Sequence, residues 1–264
     1  MSLSLFNLKG KRALITGGTQ GIGAAIAKGL GEAGAKLIIN ARSQEKLDKS
    51  ISKLHETGIE ARGALFDITK ADNVKEAVAY MEDNIGPIDI LVNNAGIIKR
   101  APAEDMEEED WEEVIRTNLT APFMLSKYVG KYMIARKSGK IINICSLMSE
   151  LGRDRVSAYA AAKGGLKMLT RNLATEWAPY NIQVNGIGPG YIATPINTLY
   201  REAGNPLNDY IVSRTPAGRW GTPEDLVGAA IFLASKASDF VNGHIVYVDG
   251  GLLSTFGKPL NNQE

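Results

Sequence analysis

The stretch Lys11–Gly23, KRALITGGTQGIG, decides the fold. Lys11–Thr16 (KRALIT) is a short apolar run of strand type, and Ile22–Ala33 repeats apolar residues at helical spacing until Gly34 ends it. Between them the glycines follow the pattern G-x-x-x-G-x-G. Gly17 suits a tight turn, Gly21 lets backbone approach a pyrophosphate, and Gly23 lets the helix pack closely on the strand. Thr19, Gln20 and Ile22 complete the candidate phosphate contacts. Glycines also serve plain turns; the strand before and the amphipathic helix after are what favour a phosphate cradle.

The same alternation continues along the chain. Lys36–Ala41, Ala61–Phe66, Ile88–Val92, Lys140–Cys145, Gln183–Gly188 and Ile245–Val248 read as further strands. Helical patterns cover Gln44–Glu56, Ala71–Asn84, Glu107 to Arg136, Ala158–Ala178 and Pro223–Ser235. Apolar strands separated by helices predict one doubly wound Rossmann-type α/β domain over residues 1–264, with a parallel seven-stranded sheet covered on both faces. Residues 190–221 carry Pro195, Pro206 and Pro216 and read as an irregular substrate-side lid.

Composition narrows the function. Thirty basic against 29 acidic residues give +1, which argues against a nucleic-acid binder needing a basic stripe. One cysteine, Cys145, excludes an internal disulfide, and His55 and His244 lack ligand spacing, so no metal site is expected. No apolar run reaches the roughly 18 residues of a membrane span, and no signal peptide is visible. The expectation is a cytoplasmic enzyme with no membrane and no nucleic-acid partner. The acidic run from Glu104 to Glu113 suits a helix start, or else an acidic docking patch.

The second strand ends in Asn40-Ala41-Arg42-Ser43, with no acid to bind both ribose hydroxyls. Arg42 can pair with a 2′-phosphate, so NADP is expected, with NAD as the alternative; equally, Arg42 can be a solvated residue before an N-cap at Ser43. Asp67 and Ile68 follow the third strand, where the carboxylate can accept the adenine amino proton and the isoleucine cover the ring, or Asp67 can cap the next helix. Asn93-Asn94-Ala95-Gly96 puts small residues at the end of the fourth strand, where open α/β sheets bind ligands; Asn94, Ala95 and Gly96 are cofactor candidates.

Tyr159 and Lys163 (YAAAK) stand four residues apart on one predicted helix and share a face. Tyrosine ordinarily ionises near about pH 10, and an adjacent ammonium favours the phenolate. Lys163 can also hold ribose hydroxyls. Ser146 ends the preceding strand and can bond the substrate oxygen, and Asn118 can hold a water linking Lys163 to solvent. Singly, Ser146 can be a helix cap, Asn118 a satisfied turn residue and the Tyr–Lys pair structural; their order behind a glycine cradle favours catalysis.

TGGTQGIG, NNAG, Asn118, Ser146, YAAAK and Pro189-Gly190 together resemble the short-chain dehydrogenase/reductase family across nearly the whole chain. The resemblance implies hydride transfer between nicotinamide and a carbonyl or alcohol, with Asn118, Ser146, Tyr159 and Lys163 as a catalytic tetrad. It implies that Pro189, Gly190, Ile192 and Thr194 border the nicotinamide, Ile192 and Thr194 binding its carboxamide. It implies a homotetramer, with the helices Asn118–Arg136 and Ala158–Ala178 at one dimer interface.

Three stretches, among them SLMSELGR from Ser146 to Arg153, look like the sugar-acid enzymes of that family, which interconvert 5-keto-D-gluconate and D-gluconate. A carboxylate substrate suits Arg100 or Arg153, Arg100 being the first choice. Met148, Ser149, Glu150 and Tyr191, with Ser146 and Tyr159, complete the candidate substrate contacts. Each arginine can instead serve a surface ion pair. Alternatives are oxidation at C3 of a 2-deoxy-gluconate, reduction of a 3-oxoacyl group on a carrier protein, and a nucleotide-binding regulator without turnover.

Overall fold

A computed structural model describes residues 3–202 and 204–255, apart from the side chain of Ile196. The two ends of the 1–264 domain reading therefore lie outside the described residues.

Seven strands form one parallel sheet: β1 Arg12–Thr16, β2 Lys36–Ala41, β3 Ala61–Leu65, β4 Ile90–Asn93, β5 Gly139–Ile144, β6 Ile182–Pro189 and β7 Ile245–Val248. Their spatial order is β3-β2-β1-β4-β5-β6-β7. The order reverses between β1 and β4, paired from Ala13↔Ile90 to Ile15↔Val92, which opens a ligand crevice beyond the C-terminal ends of those strands.

Helices α1 Gly21–Glu32, α2 Gln44–Glu56 and α8 Val227–Ala234 cover one face, and α3 Ala71–Asn84, α5 Ala121–Arg136 and α6 Ser157–Trp177 the other. Period-2 alternation drives this layering. Ala13 and Ile15 of β1 join the core with Ile26 and Leu30 of α1, while Leu14 between them joins the opposite core with Val78 of α3 and Leu125 of α5. Of these seven side chains all but Ala13 are large, and burying each of the six contributes roughly 1.5–3 kcal/mol.

Two features depart from the sequence reading. Between α4, Glu108–Ile115, and α5 the chain makes a π turn over Arg116–Thr120. Residues 190–221 are also not irregular throughout, since they hold a short 3-10 segment, Pro195–Arg201, and helix α7, Pro206–Arg214. Asn205 caps α7 by accepting the Leu207 N–H at 3.0 Å, and Pro206 opens its first turn. Only Ile211 of α7 is buried, so the helix rides on the surface with a thin apolar footing.

Candidate active site

Two loops meet at the sheet's switch point, and Thr16 joins them. Its buried hydroxyl donates to the Val92 carbonyl at 3.3 Å and accepts from the N–H groups of Asn94 and Ala95 at 3.0 and 3.1 Å. The Asn94 amide returns the tie, donating to the carbonyls of Thr16 and Gly17 at 2.9 and 3.1 Å. Asn94 and Ala95 thus brace the glycine loop. Gly17 and Gly21 have φ of +62° and +54°, where a side chain costs roughly 1–2 kcal/mol. A Cβ on Gly23 would collide with the Gly17 carbonyl and Asn94, so its close packing is against the loop itself. Gln20 precedes α1 without capping it, and the first N–H groups of this 12-residue helix face the crevice at its positive end. Gly21 lies opposite Thr194, whose Cγ2 would be 3.6 Å from a Cβ added there. This donor-lined turn, bare of side chains at Gly17 and Gly21, fits a pyrophosphate, with Thr19 and Ile22 half-buried at its edges.

Arg42 is exposed at the end of β2, and no hydrogen bond or ion pair engages it among the described residues. Ser43 beside it caps α2 by accepting the Lys46 N–H at 3.4 Å, leaving Arg42 free for an anion. Asp67 does not cap α3, whose N-cap is Lys70. Its Oδ1 accepts the Thr69 N–H at 2.9 Å and hydroxyl at 2.7 Å. Partial burial opposes ionisation of Asp67, but these bonds and the Arg42 and Lys70 charges hold its carboxyl below the usual range. Ile68 is 5% exposed and belongs to the core with Val74 and Val78.

Tyr159 and Lys163 share the first turns of α6. The Lys163 amine is buried and donates to the Ile144 carbonyl at 2.6 Å, which anchors it to the end of β5 and places it 5.6 Å from the centre of the Tyr159 ring. The Tyr159 ring packs with Ile97, Ile115 and Leu119 around Val114, Ala158 and Ala162. Asn118 is fully buried in the π turn, and its side chain clamps the Ile97 backbone: Oδ1 accepts the Ile97 N–H at 2.9 Å and Nδ2 donates to the Ile97 carbonyl at 2.7 Å. Its amide is therefore spent on the residue that packs against Tyr159. A Cβ on Gly96 would lie 2.6 Å from Asn118 Oδ1, so this clamp needs glycine there.

Ser146 is both a cap and a site candidate. Its oxygen accepts the Met148 N–H at 3.1 Å, which leaves its own proton to donate elsewhere. Other polar residues of this turn bond within the fold. Ser149 is buried and donates to the Lys163 carbonyl at 2.9 Å, tying the turn to α6. Glu150 pairs with Lys167 at 2.5 Å and accepts the Tyr247 hydroxyl at 2.6 Å; these two bonds hold its carboxyl below the usual range. Cys145 is buried, and burial pushes its thiol up to about 11, so it is no nucleophile.

Pro189 ends β6, and Gly190 passes against Asp249, whose Cα would lie 2.7 Å from an added Cβ. Asn197 orders the next residues, a function not anticipated from the sequence. It donates to the Ile192 carbonyl at 2.7 Å and accepts the Thr194 N–H at 3.0 Å. The Thr194 hydroxyl oxygen accepts the Asn197 N–H in return, which leaves its proton free to donate. Thr194-Pro195 followed by a polar third helical residue is a capping-box signal that could have revealed it. Arg100 is exposed, 5.5 Å from the centre of the Tyr200 ring, and Arg153 lies 5.7 Å from the centre of the Tyr191 ring.

Near the end of the 190–221 segment Arg219 grips Asp225 with two bonds of 2.7 and 3.1 Å. With the Thr222 N–H they hold the Asp225 carboxyl at about 2. A lowered folded-state value adds stability above the unfolded carboxylate range, and that gain is lost as pH falls towards about 2. Asp225→Asn should therefore lower Tm at pH 7, with the gap to the parent closing between about pH 4 and pH 2 in a calorimetric series.

Among the described residues no group of three His, Cys, Asp or Glu side chains could hold a metal ion, and no helix is long and apolar enough to cross a membrane. The short chain dehydrogenase family model matches residues 11–205. The chain is 61% identical over 264 residues, 100% of each protein, to 2-dehydro-3-deoxy-D-gluconate 5-dehydrogenase of Formosa agariphila. It is 51% identical over 249 residues to 5-keto-D-gluconate 5-reductase of Escherichia coli K12, covering 94% of this chain and 98% of the relative. A crystal structure of gluconate 5-dehydrogenase from Burkholderia cenocepacia, in complex with NADP and tartrate, superposes with a TM-score of 0.93 at 48% identity, over 97% of this chain and 100% of that one. The chain belongs to the short-chain dehydrogenase family, NAD(P)-dependent oxidoreductases that act on CH–OH groups.

Proposed function

We propose that the chain interconverts 5-keto-D-gluconate and D-gluconate with NADP(H). What supports this reading is the Lys163 amine, anchored on the Ile144 carbonyl and 5.6 Å from the centre of the Tyr159 ring, with Ser146 two residues beyond Ile144, in a chain so similar to C5 oxidoreductases of gluconates. When bound, NADPH supplies the hydride from the nicotinamide ring to the ketone carbon. Ser146 donates its free proton to the ketone oxygen, and Tyr159 donates the proton that completes the alcohol. Lys163, one of its N–H groups on Ile144, stabilises the resulting phenolate and turns its remaining donors to the ribose hydroxyls. The main-chain carbonyl of Asn118, at a π turn of the kind often found in functional sites, would hold the water that returns a proton from solvent. Oxidation runs these steps backwards.

The crevice residues divide the cofactor between them. The glycine turn takes the pyrophosphate, Asp67 the adenine amino group, Arg42 the 2′-phosphate, and Ile192 and Thr194 the carboxamide. Arg42→Asp should raise the KM for NADPH about 30-fold, as one charge-assisted bond of roughly 2 kcal/mol implies, with a far smaller change for NADH. Equal changes for both cofactors would remove Arg42 from the phosphate site.

A second substrate, 2-dehydro-3-deoxy-D-gluconate, is favoured by the 61% identical relative, whose name also places its reaction at C5. A carrier-protein substrate fits poorly, because the acidic start of α4 would repel an acidic carrier; among the described residues only Asp110 and Glu113 there are paired, with Lys99. Absorbance at 340 nm, with 5-keto-D-gluconate, 2-dehydro-3-deoxy-D-gluconate and an acetoacetyl thioester, tests these readings. NADPH oxidation by 5-keto-D-gluconate is expected. Turnover of the thioester alone would overturn the sugar-acid reading, and cofactor binding without any turnover would support a regulator.

The assembly we infer is a homotetramer. Phe123 on α5 and Met168 on α6 are 44% and 58% exposed, apolar surface suited to a subunit contact along these helices. Light scattering should give four times the 28.4 kDa chain mass.

A further inference from the structure

Among the described residues three that are not glycine have positive φ: Lys137 at +53°, Arg155 at +61° and Asn181 at +55°. Lys137 and Asn181 close helical segments, where a left-handed residue is a common terminator. Arg155 closes none. It stands in the turn before α6, and its exposed side chain makes no hydrogen bond or ion pair among the described residues. Strain of this kind persists where the surrounding structure uses it. What is used here is the main chain: the Arg155 carbonyl accepts the Ala101 N–H at 3.2 Å. That bond joins the turn leading into the Tyr159 helix to the loop after β4.

The loop after β4 is thereby tied at both ends. Its start lies against the Tyr159 ring, where Ile97 packs and the Asn118 side chain clamps the Ile97 backbone. Its end is Ala101, held by Arg155. Between them Lys99 pairs with Asp110 and Glu113 of α4 at 3.0 and 3.2 Å, but these side chains are 40% to 51% exposed and such pairs hold a loop weakly. Arg100 lies between the two ties, exposed, with only the Tyr200 ring 5.5 Å from its guanidinium. The two backbone ties therefore decide where that cation stands.

We propose that Arg155 is a positioning residue that acts through its left-handed backbone: by holding Ala101 it aims Arg100 at the substrate carboxylate and so sets affinity for the sugar acid. This rests on the sugar-acid reading above, with Arg100 receiving the carboxylate. Val156, the next residue, is 2% exposed and leads directly into α6. If residue 155 leaves the left-handed region, the buried side stays in place and the bond to Ala101 is what breaks. Arg100 then loses its direction, while Tyr159 keeps its place for the proton step.

Two substitutions test this, because they remove the same side chain and differ in backbone freedom. Arg155→Gly keeps positive φ without strain, whereas the β-branched Arg155→Val excludes it. Arg155→Gly should keep KM for 5-keto-D-gluconate within about twofold of the parent. Arg155→Val should raise that KM about tenfold, as a misdirected charge-assisted bond implies, with kcat and the KM for NADPH within about twofold. The Ala101 amide hydrogen should exchange with deuterium about tenfold faster or more in Arg155→Val than in Arg155→Gly. In an Arg100→Met background Arg155→Val should raise KM by less than about twofold further, since the residue it acts through is gone. Equal KM or equal Ala101 exchange in the two variants, a fall in kcat as large as the rise in KM, or the full tenfold effect without Arg100 would each overturn the assignment alone. A parent that reduces no 5-keto-D-gluconate would overturn it together with the sugar-acid reading.

Discussion

Tyr159→Phe is expected to lower kcat by about 10³-fold while NADPH binding and Tm stay near those of the parent. The size follows from removing the proton donor, since positioned acid–base groups contribute roughly 10²–10⁴-fold. The stability expectation follows from the packing. Phenylalanine fills the same place among Ile97, Ile115 and Leu119, and the Tyr159 hydroxyl makes no hydrogen bond within the described residues, so its loss leaves no partner unpaired. NADPH fluorescence gives the affinity and single-turnover absorbance the chemical rate. A variant turning over within about threefold of the parent would show that another group moves the proton.

Lys163→Met should reduce kcat/KM by about 10³-fold or more and weaken NADP(H) binding about tenfold. Its amine has two tasks, holding ribose and stabilising the phenolate, and both depend on the 2.6 Å bond to Ile144 that fixes its direction. Methionine also leaves the Ile144 carbonyl without this donor, at roughly 1–3 kcal/mol of stability, which a melting curve would record. Lys163→Arg keeps the charge but needs a wider pocket than this 4% exposed site offers, so it should recover little activity. Weakened cofactor binding with an unchanged kcat would confine Lys163 to the ribose and remove it from the proton step.

The sheet was legible because its strands are short apolar runs with glycine or polar residues at their ends, and its helices repeat at 3.6 residues. Bounds such as Gln44–Glu56 and Ala71–Asn84 match to the residue, helped by the Ser43 cap and by Gly58 beyond the second helix's end. Helix α7 was missed because one buried residue gives too little periodicity, although Asn205-Pro206 carries a start signal. The π turn has no sequence period to betray it, and Asn118 owes its place to that turn.

Site residues divided along a physical line. Ser146, Tyr159 and Lys163 stand out in the sequence because the proposed chemistry needs that order. Ser149, Glu150 and Ile68 look equally eligible in sequence, and the structure adds that they bond to Lys163, to Lys167 and Tyr247, and pack in the core, respectively. Thr16, which staples the two crevice loops, went unread because a threonine before a glycine turn resembles any strand end. Asn94, a cofactor candidate in the sequence, braces the glycine loop.

The most direct test of proton transfer through Tyr159 is a crystal structure of the chain with NADP and D-gluconate. The prediction is that the Tyr159 hydroxyl and Ser146 Oγ both lie within hydrogen-bond distance of the C5 oxygen, with the Lys163 amine on the ribose and on Ile144. A Tyr159 hydroxyl turned away from the sugar, or a gluconate presenting another carbon to the nicotinamide, would contradict it.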